Sequence, residues 1–475
     1  MKRTILFITL AILPLMLDAQ WKIDPADYKI EKKDLKRARK VLYGPECHPV
    51  FPNPAEGAQW FPEAGLGLFM HWGIHSMIGV QPSWNMIKNY EWSGEYHSRE
   101  EYYDQANHFD PQDYNPERYL KAAKEAGFQY AVLTTRHHDG YALWPSKYGI
   151  GTRQYMHGRD LLKDYVEACR ANGLKVGFYY SPRDWHYPGD RPDSEWDATT
   201  WGRRGPVQDT VANRKAFEAF FAYVLAQLEE LLTRYGKIDV LWLDGMGWYG
   251  IPTQDLCTEK VYAWIRSLQP DIVINDRWAN IVNPDNPEGT SMRIGDFTTP
   301  FECMTPTYVP SRWWEHCHIW NGKGGGWGYN KKGLFRPISW FFEEFVASRS
   351  LGGNFLINVG PSGSGDMHPN YYREIAKVEA WMKTGRESVL DGAGPTPGVE
   401  LSNAPLTTRG RDIWYAHMLA SFKGQLSVRT GRKPSKAVLL GTGEEIPFIY
   451  RDGFVNLKLR DDQRTWVDDV VRFDF

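Results

Sequence analysis

Residues 130–140 read Tyr130-Ala-Val-Leu-Thr-Thr-Arg-His-His-Asp-Gly140. A run that suits a strand passes directly into a charged, imidazole-rich turn. Such a run, apolar on both faces, fits a parallel sheet covered on both sides rather than a half-solvated antiparallel one. The pattern recurs in both directions along the chain. Apolar runs at 66–69, 174–180, 238–243, 272–275 and 355–359 alternate with helical patterns at 116–126, 161–171, 214–235, 259–268 and 371–382. Repeated strand-then-helix units predict a parallel α/β sheet, and this many units predict a closed (β/α)8-like (TIM) barrel over residues 20–388. After Gly392-Ala-Gly-Pro-Thr-Pro-Gly398 the texture changes. Short alternating runs between Gly and Asp turns predict a small C-terminal β-sandwich over residues 399–475.

Composition narrows the function. The 475 residues carry 56 Lys and Arg against 58 Asp and Glu, a balance with no long-range field to attract nucleic acid or an anionic membrane. Aromatic residues make up 15% of the chain, including 21 Trp, and amphipathic rings suit concave pockets for ligands with both apolar and polar groups. Residues 1–19 combine Lys2-Arg3, an apolar stretch and small residues, which predicts a cleaved signal peptide and an exported, periplasmic or extracellular protein. That stretch is too short to span a bilayer, no later run approaches the length needed, and no cysteine follows it to carry a lipid. The five cysteines (47, 169, 257, 303 and 317) are scattered without a C-x-x-C pair, predicting mostly free, buried thiols.

In a barrel of this kind, active sites lie at the carboxyl ends of the strands. Those ends carry His71-Trp72-Gly73, His137-His138-Asp139-Gly140, Tyr179-Tyr180-Ser181, Asp244-Gly245, Asn275-Asp276-Arg277-Trp278 and Asn358-Val359-Gly360-Pro361. Imidazoles, Arg277, carboxylates and Trp side chains are what a ring bearing several hydroxyls requires: hydrogen bonds around its rim and an aromatic wall on its apolar face. Neither a phosphate-binding GxGxxG or GxxxxGK[ST] nor a G-x-S-x-G elbow is present. A pair of carboxylates acting on an acetal fits best.

Trp60-Phe61 with Gly65-Leu-Gly-Leu-Phe-Met-His-Trp-Gly73, the 130–140 segment, Gly177-Phe-Tyr-Tyr-Ser181, Leu241-Trp-Leu-Asp-Gly245, Asn275-Asp-Arg-Trp278, Trp327-Gly-Tyr-Asn330 and Gly352-Gly-Asn-Phe-Leu-Ile-Asn-Val-Gly-Pro361 together resemble the α-L-fucosidases of glycoside hydrolase family 29. The blocks stand in family order. The resemblance implies a barrel without metal or cofactor and retaining hydrolysis of a fucosylated oligosaccharide or glycoconjugate through a covalent glycosyl-enzyme intermediate; it says nothing of oligomeric state. It makes Asp244 the nucleophile. It gives His71, His137, His138, Tyr180 and Arg277 the sugar's hydroxyls and ring region, and Trp242 and Trp327 the pocket for the C5 methyl. Glu302, at the end of Asp296-Phe-Thr-Thr-Pro-Phe-Glu302, is the expected acid/base, with Glu315 of Trp313-Trp314-Glu315 as runner-up because aromatic surroundings would raise its pKa. Where many members carry Glu-Trp-Tyr, this chain has Pro82-Ser83-Trp84-Asn85, with Trp84 the matching substrate contact and Glu91-Trp92 a weaker match. L-Galactose therefore competes with L-fucose at that edge.

Two other classes fit part of the pattern. A metal-dependent hydrolase could draw on His71, His75, His137, His138 and Asp244. Against it, His137 and His138, adjacent on a strand, are expected to point to opposite faces. A non-catalytic carbohydrate-binding protein would keep the Trp and His rim without needing Asp244. Loops at 188–207 and 322–328 are expected to shape the leaving-group side and the rim.

Overall fold

The computed structural model describes residues 24–90, 95–188, 214–245, 256–278, 294–322, 326–396 and 402–475. The expected signal segment, Glu91-Trp92 and nearly all of the 188–207 loop lie outside the described residues, as do residues 323–325 of the rim loop. Eight parallel strands form the barrel: β1 (Leu66–Met70), β2 (Tyr130–Arg136), β3 (Lys175–Tyr180), β4 (Val240–Leu243), β5 (Val273–Ile274), β6 (Phe297–Glu302), β7 (Trp313–Ile319) and β8 (Asn354–Asn358). Their order is β5-β4-β3-β2-β1-β8-β7-β6. A single parallel bridge, Asn275 to Phe297, brings the two ends together.

Six of these strands follow the apolar runs read from the sequence, whereas β6 and β7 do not. β6 contains Pro300, which has no N–H for the ladder, and its register with β7 shifts between Thr298 and Phe301. β7, Trp-Trp-Glu-His-Cys-His-Ile, alternates polar with apolar residues inside a buried sheet, so neither strand reads as a continuous apolar run.

Alternation along each strand separates two cores. Phe69, Tyr130, Val132, Tyr179, Val240, Trp242, Val273, Phe297, Cys317 and Leu356 face the barrel interior and pack on one another. The intervening residues, Leu68, Leu133, Phe178, Tyr180, Leu241 and Ile357 among them, face outward beneath the helices. Helices Pro116–Glu125, Leu161–Ala171, Arg214–Arg234, Thr258–Leu268, Ile338–Ser350 and Pro369–Gly385 supply that layer.

The C-terminal sandwich is also present. A six-stranded sheet of order β14-β13-β17-β11-β10-β9 and a three-stranded sheet β12-β16-β15 share one apolar core, built from Met418, Leu426, Leu439, Val455, Val471 and Phe473 among others. Here β9 is Gly394–Pro395, β10 Leu406–Arg409, β11 Ile413–Leu419, β12 Leu426–Arg429, β13 Lys436–Leu439, β14 Glu444–Glu445, β15 Ile449–Arg451, β16 Phe454–Leu457 and β17 Asp468–Asp474. β9 lies within the Gly392–Gly398 stretch that precedes the region read as the sandwich. Its Pro395 sits at the sheet edge, where a missing N–H costs no ladder bond.

All five cysteines are unpaired, but only Cys169 and Cys317 are fully buried. Among the described residues no helix is long and apolar enough to cross a membrane.

A buried polar chain fastens the sandwich to the barrel. Asp468 Oδ2 lies 2.8 Å from His417 Nδ1, and His417 Nε2 lies 3.0 Å from Thr407 Oγ1, which donates at 2.5 Å to the carbonyl of Ser388. Ser388 directly follows the last barrel helix, whose Trp381 indole donates to the Asp468 carbonyl at 2.9 Å. Replacing one member leaves a buried polar group unmatched, which costs about 1–3 kcal/mol. Thr407→Val, close in shape and without the hydroxyl, is expected to lower stability by that amount, read from the denaturant midpoint at unchanged slope.

Candidate active site

The barrel mouth gathers its chemistry from seven strand ends. Parity along β4 turns Val240, Trp242 and Asp244 inward, and the Asp244 amide donates to the Tyr180 carbonyl at 3.2 Å. Because β5 is only two residues long, the side chain of Asn275 replaces the missing ladder. It accepts from the Leu243 amide at 2.9 Å and donates to the Leu243 carbonyl at 3.0 Å, so the backbone just before Asp244 is held from the side. The Asp244 carboxylate is thereby mounted on a rigid element.

Arg277, two residues further along from Asn275, points inward on the same parity. Its Nε is 3.2 Å from Asp244 Oδ1, and its Nη1 donates to Glu302 Oε2 at 2.7 Å. One guanidinium therefore stands between the two carboxylates. Their surroundings differ: the Asp244 side chain is 10% exposed and that of Glu302 33%. Burial pushes the Asp244 carboxyl up to about 6; Arg277 opposes the rise, the charge of Glu302 adds to it, and a hydrogen bond from Tyr179 opposes it.

That hydrogen bond corrects the sequence reading at β3. Tyr180 does not face the site. Its ring lies beneath the Arg136 guanidinium, 4.4 Å from centroid to Cζ, and its hydroxyl donates to Gln227 Oε1 at 3.0 Å, outside the barrel wall. Tyr179, one residue earlier and therefore of inward parity, donates to Asp244 Oδ2 at 2.9 Å. The alternation of β3 against Trp242, its partner in register, was the signal that identifies it.

Glu315 is corrected as well. It lies in the first half of β7, level with Asn354 at the start of β8, far down the barrel, and is fully buried. Tyr130 donates to Oε2 at 2.5 Å and the Trp242 indole to Oε1 at 2.9 Å. Burial pushes this carboxyl up to about 7, against the pull of both hydrogen bonds and Arg277. The aromatic surroundings expected of it are real, but they enclose it beneath the mouth. Trp242, which it anchors, lies against Tyr179 at 5.6 Å and 21° and carries the Arg277 guanidinium 4.6 Å from its centroid.

The imidazoles converge, His137 and His138 included. Their ring centroids are 4.1 Å apart, so they do not diverge to opposite faces. β2 ends at Arg136, and both histidines lie in the turn beyond it, closed by the Gly140 amide donating to the His137 carbonyl at 3.0 Å. Pleat alternation no longer applies there. Gly140 has φ +80°, and a Cβ on it would fall 2.1 Å from Asp184 Oδ1, so this turn requires glycine. His71 is 5.7 Å from His137 and 5.0 Å from Trp327 between centroids. His138 Nε2 lies 3.9 Å from Asp244 Oδ2. Burial lowers His71 to about 3 and His137 well below the usual histidine value, so both rings are neutral.

Aromatic rings complete the cavity. Phe69, which the sequence reading did not single out, bridges Trp242 at 5.2 Å and Trp327 at 5.9 Å. Trp84 is half-buried and stands edge-on to His138 at 5.4 Å. Among the described residues no group of three or more His, Cys, Asp or Glu is arranged to hold a metal ion. His75 is buried as well, within electrostatic reach of His71 and His137. Asp296, first residue of the segment ending in Glu302, is structural: it accepts from the amides of Asn53 and Ile274, each at 2.7 Å, and pairs with Arg266.

The family model described as Alpha-L-fucosidase matches residues 37–387. Tissue alpha-L-fucosidase of Bos taurus is 28% identical over 358 residues, 71% of this chain and 69% of that protein. Plasma alpha-L-fucosidase of Homo sapiens is 27% identical over 374 residues, 75% of this chain and 72% of that protein. Among solved structures, alpha-L-fucosidase isoenzyme 1 from Paenibacillus thiaminolyticus superposes with a TM-score of 0.70 at 28% identity, covering 88% of this chain and 98% of that one. A family 29 alpha-L-fucosidase of Bacteroides thetaiotaomicron, solved as a trapped covalent intermediate, shares the fold, with a TM-score of 0.73 at 23% identity over 91% of this chain and 98% of that one.

Tyr179→Phe removes a hydrogen bond that favours the ionised form of Asp244. The Asp244 carboxyl is therefore expected to titrate higher in this variant, above about 6, whereas Tyr180→Phe leaves it unchanged. Carboxyl 13C chemical shifts followed against pH check both.

Proposed function

The chain belongs to the α-L-fucosidase family, and from that premise we propose that it releases α-linked L-fucose from glycans with retention of configuration. The observation that carries this reading is the pair of carboxylates joined by Arg277, one enclosed at the end of β4 and the other open at the end of β6. Retaining hydrolysis needs such a pair, about 5–5.5 Å apart in glycosidases of this type. Asp244 supplies an oxygen to the anomeric carbon while Glu302 gives a proton to the departing glycosidic oxygen. The aglycone leaves as an alcohol and the sugar remains esterified to Asp244. Glu302, now ionised, takes a proton from water, whose oxygen attacks the same carbon and frees Asp244. Two inversions give retention, and one water is consumed.

The remaining groups fit a deoxy sugar. His71, His137 and His138 supply hydrogen-bonding atoms for ring hydroxyls. Phe69, Trp242 and Trp327 offer an apolar wall to the C5 methyl. L-Galactose differs by one hydroxyl at that wall, and an aromatic wall discriminates weakly against an added hydroxyl. Fucosides are the proposed substrates, with L-galactosides cleaved more slowly. A non-catalytic binding role would leave Asp244 without purpose at a fixed, desolvated position. Residues 1–19 support export of the protein; intact mass from the native host should then lack them.

Asp244→Ala is expected to keep the fold and lose nearly all turnover, with partial rescue by azide entering the vacated space; activity without added anion overturns the assignment. Glu302→Ala is expected to abolish hydrolysis of fucosides with basic leaving groups while sparing the first step on an activated aryl fucoside; equal losses on both exclude it as the acid. Since the nucleophile must be ionised and its carboxyl sits at about 6, kcat/KM is expected to fall as pH drops through that value.

A further inference from the structure

We propose that Ser83 is a positioning residue that fixes His137 in the Nε2–H tautomer, opposite to that of His71, so that the pocket offers one imidazole as a donor and its neighbour as an acceptor. This deepens the reading of the site as a fucoside pocket and rests on it.

The argument follows the protons. Ser83 Oγ accepts from the Asp139 amide at 2.9 Å and lies 2.6 Å from His137 Nδ1. Ser83 is fully buried, and among the described residues its hydroxyl proton meets no acceptor other than that nitrogen. A buried hydroxyl donor left unmatched is costly, so the proton points to Nδ1. A neutral ring that accepts at Nδ1 carries its own proton on Nε2.

His71 has the reverse arrangement. The Asn358 amide nitrogen donates to the Trp327 carbonyl at 2.7 Å, which leaves the amide oxygen facing His71 Nδ1, also at 2.7 Å. A carbonyl oxygen only accepts, so Nδ1 carries the proton and Nε2 presents a lone pair. His138 follows His71 at Nδ1: Ser181 Oγ donates to the Arg183 carbonyl at 2.9 Å and must therefore accept from His138 Nδ1 at 2.6 Å.

The backbone at Ser83 points the same way. Its φ of +61° lies in the left-handed region, where glycine is comfortable and serine is not. Its amide donates to the Tyr102 hydroxyl at 2.9 Å, and that hydroxyl donates to Asp139 at 2.5 Å, so the strained conformation is locked. The hydroxyl is what serine supplies there and glycine does not. A sugar hydroxyl facing His137 must then accept, and one facing His71 must donate.

The test reads the rings directly. Long-range 1H–15N spectra of ligand-free protein labelled with 15N-histidine, assigned through His71→Gln and His137→Gln, are expected to show His137 protonated at Nε2 and His71 at Nδ1. The same tautomer on both rings overturns the proposal. Ser83→Gly suits the backbone and removes the hydroxyl together with its Cβ. It is expected to fold, with the relief of backbone strain set against the Asp139 amide and His137 Nδ1 left without this partner, to shift the His137 resonances away from a pure Nε2–H form, and to lower kcat/KM about tenfold to a hundredfold, mainly through KM. Unchanged His137 resonances in Ser83→Gly overturn the proposal, as does unchanged kcat/KM. Because the spectra need no substrate, a wild-type protein with opposed tautomers and no fucosidase activity would refute the function and not the ring assignment.

Discussion

A single guanidinium, Arg277, makes the mouth of this barrel possible. Burial and the charge of Glu302 both push the Asp244 carboxyl toward holding its proton, and at low local dielectric that push is strong. Arg277 lies against both carboxylates, and its position is inherited from below: it rests over Trp242, whose indole is tied to Glu315, which is tied in turn to Tyr130 near the floor. The carboxylate pair at the top is thus held by a column of polar and aromatic contacts running down the barrel axis. Tyr179, lying against the same indole and bonded to Asp244, braces the column from the β3 side.

Much of this was legible in the sequence because parallel strands covered on both faces announce themselves as apolar runs, and the residues that end them are chemically conspicuous. Asp244 and Arg277 lie at the ends of strands read from the sequence, whereas Glu302, named only from the family resemblance, ends a strand that the apolar runs do not show. What failed to read were features of phase and depth. Tyr179 and Tyr180 are identical residues on opposite faces of β3, and a strand that is apolar throughout gives no polar side from which to count. Glu315 is aromatic-flanked in sequence as an active-site acid would be, but only the register of β7 against β8 shows that it sits a turn of the barrel too deep. His137 and His138 were assigned strand geometry one residue past the point where the strand stops. β6 and β7 escaped notice because Pro300 and the Glu-His-Cys-His alternation mimic a loop and a half-exposed strand.

The polar atoms behind the three imidazoles share a plan. His71, His137 and His138 each use Nδ1 on a partner within the protein, namely Asn358, Ser83 and Ser181. With that nitrogen occupied, ring rotation is stopped and the other nitrogen is aimed. Burial favours the neutral form at His71 and His137, and a neutral ring costs little to bury. The pocket therefore discriminates by the direction of its hydrogen bonds more than by net charge.

The short strand β5 carries a mechanical meaning. Among the described residues β5 pairs with β4 over two positions and meets β6 at one bridge, and the Asp296 carboxylate and amide add the further stitching to Ile274. Ladder bonds resist sliding of one strand along another, and a side-chain stitch resists it less. The barrel consequently has a seam, and the seam runs between the strand that delivers Arg277 and the strand that delivers Glu302. Hydrogen-exchange protection is lowest where the fewest buried bonds must break. The softest line in the wall thus passes beside Glu302, the more open of the two carboxylates, while Asp244 is borne by the laced β3–β4 side, giving the cavity one stiff jaw and one compliant one.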